Sequence, residues 1–186
     1  MEIRRLRADE AAVRRWTEEL WLPYHRDLEA AVDAHELADD VDLVAEETAF
    51  RLDRLEAESY RVWVAVDRNS ARDTDAETET DASVETDIEG IDAELVGFVT
   101  AEIERAPSVF DHPDRVLVGD IYVRESHRGT GLARELVDRT VELAAESDCA
   151  ELALDVDADN DRAMGFYEKL GFETRRRRMA VAVDDL

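Results

Sequence analysis

The segment best suited to chemistry is the hexapeptide Arg128-Gly129-Thr130-Gly131-Leu132-Ala133. It stands between an apolar run ending at Val123 and a stretch whose Leu132, Leu136, Val137, Thr140, Val141 and Ala144 fall on one helical face. The first N–H groups of a helix have no partner within it, and its dipole adds partial positive charge there. A glycine turn feeding such a helix can therefore hold a phosphate. Glycines at 129 and 131 lack the Cβ atoms that would keep the anion away. On spacing alone, a turn that merely reverses the chain is the plain alternative. Two other phosphate loops are excluded. A P-loop needs a lysine that is missing here, and the dinucleotide fingerprint needs a third glycine where Arg134 stands.

Other polar clusters carry less. Asp155, Asp157 and Asp159 open like a calcium loop, but Asn160 stands at its sixth position and Phe166 at its twelfth, where glycine and glutamate are required. His25, His35, His112 and His127 are scattered without metal-ligand spacing and read as surface histidines. Cys149 is the single cysteine, which excludes an internal disulfide and a cysteine metal cluster. No metal is expected. The run Arg175 to Arg178 would alternate faces in a strand and pair with the chain's own acids.

Around the turn, the pattern predicts an edge strand over residues 2–7 and a helix from Asp9 carrying Ala12, Val13, Trp16 and Leu20. Pro23 should end or kink that helix. Further helices are predicted over 27–38 and over 45–58, the latter presenting Phe50, Leu52 and Leu55. Strands are predicted over 61–67, 93–104, 115–123, 151–155 and 172–183, and a helix over 160–170. Residues 68–92 are dense in acids and poor in large apolar residues, which predicts a solvated, disorder-prone loop between two strands of a hairpin.

The chain has 186 residues, 48 acidic against 23 basic, and a formal net charge of -25. Its length suits one domain over 1–186. No apolar run approaches the roughly 20 residues of a membrane span, and residues 1–5 lack a secretory apolar region, so a cytoplasmic protein without membrane contact is expected. The only lysine is Lys169, and glutamine is missing. An acidic, lysine-poor composition resembles that of proteins from salt-in halophiles, whose molar salt shortens the Debye length to about 3 Å. An acidic interaction tail is the alternative, but here the acids are spread through every segment. Nucleic acid is an unfavourable partner, because no basic face offsets the negative field.

The residues Arg128, Gly131 and Ala133, following the strand Asp120-Ile121-Tyr122-Val123, resemble the acyl-CoA signature of the GNAT N-acetyltransferase superfamily. Further on, Asn160-x-x-Ala163-x-x-Phe166-Tyr167-Glu168-Lys169-Leu170-Gly171-Phe172 resembles the superfamily's second signature. Together they cover about residues 116–172; the N-terminal half matches only in its order of elements. The resemblance implies an α/β fold, with a mixed, mostly antiparallel sheet of six or seven strands flanked by helices.

It also implies acetyl-CoA as acyl donor. Main chain of Ile121, Tyr122 and Val123 would pair with the pantetheine arm. The amides of Arg128, Gly129, Thr130, Gly131, Leu132 and Ala133 would hold the pyrophosphate. Asn160 would contact the pantetheine or the turn beside it. Tyr167 falls at the general-acid position, and a phenol with a pKa of about 10 suits donation to a leaving thiolate. Asp120 falls where relatives carry a general base; Gly119 stands where some carry glutamate, and Asp120 could instead be a polar residue satisfied at a bulge. Tyr24, Glu19 and Asp27 are weaker candidates for the substrate side.

The implied activity is acetyl transfer to an amine of a small molecule or protein by direct attack in a ternary complex. The negative field favours a cationic acceptor, while Arg124, Arg128 and Arg134 supply local positive charge for CoA. Homodimers are common among such relatives, so pairing of two chains is an open option. Two readings stand beside the enzyme: a catalytically weak CoA-sensing or partner-binding protein, and an acidic scaffold working through residues 68–92. The charge makes its own prediction. Dilution from molar KCl to about 0.1 M should unfold the protein, as followed by circular dichroism; full stability at low salt would contradict the halophile reading.

Overall fold

Runs of β-branched and aromatic residues produce five strands: β1 (Glu2–Arg5), β2 (Tyr60–Asp67), β3 (Glu94–Glu104), β4 (Arg115–Val123) and β5 (Glu151–Leu154). In the computed structural model, which describes residues 1–32, 35–68, 93–177 and 179–183, they form one sheet in the order β1-β2-β3-β4-β5. The first four are antiparallel to their neighbours and β5 is parallel to β4. The sheet is thus mixed and mostly antiparallel, with β1 on its edge as predicted. Among the described residues it has five strands rather than six or seven. Residues 172–183 contain no strand among those described, and every described residue after Phe172 is exposed. Residues 173–178 carry no apolar side chain to fix a register.

The chain divides into two compact units, Met1–Asp155 and Val156–Leu186. In the first, β2 and β3 are buried on both faces. Val62, Val64, Val66, Leu95 and Phe98 pack with Trp16 and Leu20 on one side. Ala65, Val96 and Val99 pack with Leu132 and Leu136 on the other. This two-sided burial explains their nearly unbroken apolar sequences. The acidic segment predicted as a loop falls almost wholly on residues 69–92, which lie outside the described residues.

Helix α1 (Glu10–Trp16) starts where Asp9 accepts the Ala12 N–H at 2.9 Å. Pro23 does not stop the chain's helical course. A π-helical turn, Thr17–Trp21, leads directly into α2 (Leu22–Glu29), and the Leu22 N–H donates across it to the Thr17 carbonyl. Pro23 then occupies the first turn of α2, where its missing N–H costs little. The helix predicted over 27–38 ends instead at Glu29, whose carboxylate turns back to accept the Leu37 N–H at 2.8 Å. Helix α3 (Leu43–Leu55) is capped by Asp42. Its Phe50 faces outward beside the guanidinium groups of Arg51 and Arg54, rather than into the core. Helix α4 (Leu132–Glu146) links β4 to β5, and α5 (Asp161–Lys169) belongs to the second unit.

Candidate active site

The turn before α4 takes the form its glycines allow. Gly129 and Gly131 have φ of 79° and 96°, a region that disfavours side chains, and open space surrounds both positions. Gly131 is the N-cap of α4, so no side chain caps the helix. The N–H groups of Arg134 and Glu135 fold back onto the Gly131 carbonyl. Those of Gly129, Thr130, Gly131, Leu132 and Ala133 have no partner among the described residues. Thr130 Oγ1 donates to the His127 carbonyl at 2.7 Å and stiffens the turn. Arg128 anchors it, donating from Nε to the Val123 carbonyl at 3.0 Å and pairing with Asp27 at 3.1 Å. A dipole-reinforced cluster of free amides is a seat for an anion.

Strand β4 leads into this turn with one edge uncovered. It pairs with β3 along its length, but with β5 only through Arg115, Val116, Leu117 and Val118. Among the described residues, 119–123 therefore have no strand beyond them on that side. The Arg124 N–H donates to the Val96 carbonyl, and Gly97 stands opposite Val123. In this ladder Tyr122 directs its main chain to β3, whereas Ile121 and Val123 direct theirs to the uncovered side. A Cβ on Gly97 would meet the Tyr122 carbonyl at 2.8 Å, so glycine permits this close pairing.

The ladder slips at one point. Val99 pairs with Ile121 but Ala101 with Val118, so Gly119 and Asp120 together face Thr100. The Asp120 N–H donates to Thr100 Oγ1 at 2.9 Å, and any Cβ on Gly119 would run into that same oxygen. The bulge gives Asp120 an unusual setting. Its carboxylate lies 3.3 Å from the Arg51 guanidinium, which also bonds Glu47 and the Tyr60 hydroxyl. Two carboxylates thus share one cation.

Burial pushes the Glu47 carboxyl and the Tyr60 phenol upward, while Arg51 pulls both down. Burial also opposes the charge of Arg51, but Tyr60, Glu47 and Asp120 hold its proton more firmly than usual. His25, expected at the surface, is buried, and the loss of hydration lowers its pKa to about 4. Asp120 opposes that shift, and His35 and Arg51 add to it.

The two remaining sequence candidates lie on the second unit. Asn160 caps α5, its side chain accepting the Ala163 N–H at 3.0 Å. Tyr167 is buried on the same helix, its ring 5.3 Å from Phe166 and 5.5 Å from Phe172. Asp120, Ile121, Tyr122, Val123 and residues 128–133 come together on the first unit. Of the weaker candidates, Glu19 pairs with Arg15, Asp27 with Arg128, and Tyr24 packs against Tyr122 and Phe98. Arg124 and Arg134 likewise already have acidic partners.

The family model for the acetyltransferase (GNAT) family matches residues 15–172. The chain belongs to this family. Among curated relatives of this GNAT protein, an L-2,4-diaminobutyric acid acetyltransferase of Chromohalobacter salexigens is 34% identical over 79 residues, 42% of this chain and 38% of that one. A thialysine N-epsilon-acetyltransferase of Bos taurus is 36% identical over 56 residues, 30% of this chain and 33% of the other. The chain thus spans about a third of these relatives' lengths. Solved structures align throughout. A mutant of the BH1408 protein of Bacillus halodurans has a TM-score of 0.69 at 18% identity, covering 98% of this chain and 99% of its own. An aminoglycoside 6'-N-acetyltransferase of Acinetobacter haemolyticus has a TM-score of 0.63, also at 18% identity, covering 98% and 97%. At such identity the likeness concerns the fold.

Sequence reasoning missed Glu47, Arg51, Tyr60 and His25 in this GNAT protein. Glu47 and Arg51 stand one helical turn apart, a spacing that signals an ion pair but not its burial. The site makes a prediction about acid. The pKa of His25 is near 6.5 when unfolded and about 4 when folded. Between these values the unfolded chain binds the extra proton, so stability is full above about 6.5 and falls as the pH drops toward about 4. His25→Phe should flatten this part of the melting-temperature profile, removing on the order of 3 kcal/mol of acid sensitivity. An unchanged slope would contradict the buried neutral imidazole.

Proposed function

We propose that this protein moves an acetyl group from acetyl-CoA to a cationic primary amine. The observation that carries the reading is the row of unpartnered amides at residues 129–133, next to the uncovered edge of β4. A diphosphate suits a run of five free N–H groups at a helix start. The main chain of Ile121 and the Val123 N–H suit an amide-bearing arm running along the strand, the Val123 carbonyl being held by Arg128. Tyr122 supports this edge through its pairing with β3 and its ring contacts. Arg128 holds the turn against Val123, and Asn160 shapes the start of α5.

The acetyl donor contributes an activated thioester carbonyl. The protein holds the acceptor for attack, so that the new C–N bond forms as the C–S bond breaks. Asp120 takes the proton that the ammonium must lose, directly or through a water molecule, and Tyr167 supplies one to the departing sulfur. Glu47 and Asp120 share the single charge of Arg51, leaving the acceptor side with an excess negative charge that favours a cation. Named relatives that acetylate a diamino acid, thialysine or an aminoglycoside support an amine acceptor. We further propose a cytoplasmic protein adapted to high salt, from its charge of -25; no described helix is long and apolar enough to cross a membrane.

A CoA-binding sensor with little turnover is the second reading, favoured by the tie between Asp120 and Arg51. Steady-state acetylation of a panel of polyamines and aminoglycosides separates the two. Tyr167→Phe should lower kcat about 10²-fold or more while leaving CoA affinity within about threefold. Equal loss in both would remove the acid role.

A further inference from the structure

His127 ends a 3₁₀ turn, Glu125–His127, that joins β4 to the glycines at 129 and 131. Each of its polar groups is engaged. The main-chain N–H donates to the Arg124 carbonyl at 2.9 Å, and the carbonyl accepts from Thr130 Oγ1 at 2.7 Å. On the ring, Nδ1 lies 2.9 Å from Ser126 Oγ, and Nε2 lies 3.3 Å from Asp67 Oδ2 at the end of β2. A carboxylate only accepts, so Nε2 carries a proton; in the neutral ring Nδ1 then accepts from the Ser126 hydroxyl. The side chains of His127 and Asp67 are 16% and 19% exposed, which shields their contact from much of the water that weakens a surface pair. Arg128 pins the turn to the end of β4 and to α2. The contact between His127 and Asp67 adds a tie to β2, from a position 60 residues away.

The turn has need of such a tie. Glycine loses more conformational freedom on ordering than any other residue, and Gly129 and Gly131 both stand at positive φ. Their neighbouring amides face an anion only while those dihedrals are kept. Ordering left to the moment of binding subtracts from affinity. We infer that His127 and Asp67 are positioning residues for the anion seat: the imidazole, held by the Asp67 carboxylate, fixes residues 129–131 in their binding form before the ligand arrives. The Thr130 bond to the His127 carbonyl, which closes a loop over Gly129, carries the constraint into the turn. The inference rests on the proposed CoA seat and goes beyond it by assigning the side chains that pre-organise it.

The test joins calorimetric titration of CoA with ¹⁵N relaxation of the Gly129 and Gly131 amides in ligand-free protein. Asp67→Ala and His127→Ala should each raise the Kd for CoA about five- to tenfold, the loss of one hydrogen bond. Both should lower the order parameters of the two glycine amides. The double variant should bind within about twofold of the weaker single one, because each substitution breaks the same tie. Asp67→Asn keeps an acceptor for the Nε2 proton and should stay within about twofold of wild type, a rescue that a packing role would not require. Asp67→Leu replaces Asp67→Ala should the alanine variant not fold. Unchanged affinity in both single variants, losses that add in the double variant, or unmoved glycine amides overturns the inference. If the wild type binds no CoA, the cofactor reading falls while the relaxation data still decide. Loosened glycines in Asp67→Ala then support the tie, and unmoved ones overturn it.

Discussion

Five main-chain N–H groups without partners among the described residues are the constraint around which the first unit is arranged. A helix start with nothing to bond is unfavourable unless water or a ligand reaches it, and most helices avoid the problem with a capping side chain. Here α1, α3 and α5 are each capped by Asp9, Asp42 or Asn160, while α4 begins at Gly131 with no cap at all. The contrast lies within one chain. The residues that would satisfy the amides have been withheld at the one helix that follows β4.

The surrounding elements make that arrangement tolerable. Strand β3 holds β4 along one edge, and Leu132 and Leu136 anchor the first turns of α4 against Val96, Val99 and Val123. Arg128 ties the turn back to the strand end and to α2. β5 stops pairing at Val118, so among the described residues no strand pairs with the last five residues of β4 on that edge. On the opposite face, the bulge at Gly119 and Asp120 turns a carboxylate into the helical layer, where Glu47, Arg51 and Tyr60 meet it. The free amides thus adjoin the end of β4, and the two carboxylates that share Arg51 meet at its bulge.

The legible parts of this site were the local ones. A turn such as Arg128 to Ala133 carries its conformation in its own residues, because positive φ requires glycine and the neighbouring periodicity announces the helix. Asn160 to Phe172 is likewise contiguous, and the α5 cap follows from it. The illegible parts depend on contacts between distant residues. Arg51 reaches Asp120 across 69 positions, and His25 is buried beside Trp21, Tyr24 and a His35 that lies beyond the end of its helix. The helical course runs on past Pro23 after an irregular π-helical turn, and residues 172–183 contain no described strand, every described residue after Phe172 being exposed. Helix termini and strand ends were predicted within a few residues wherever a capping aspartate or an apolar run marked them.

Calorimetric titration of CoA into wild-type protein and into Gly131→Val tests the anion seat most directly, because both the enzyme and the sensor readings require it. A valine at φ of 96° is strained and reshapes the turn without touching the core. The account predicts saturable binding to the wild type and none to a variant whose circular dichroism spectrum is unchanged. Equal affinity in the two proteins would contradict it.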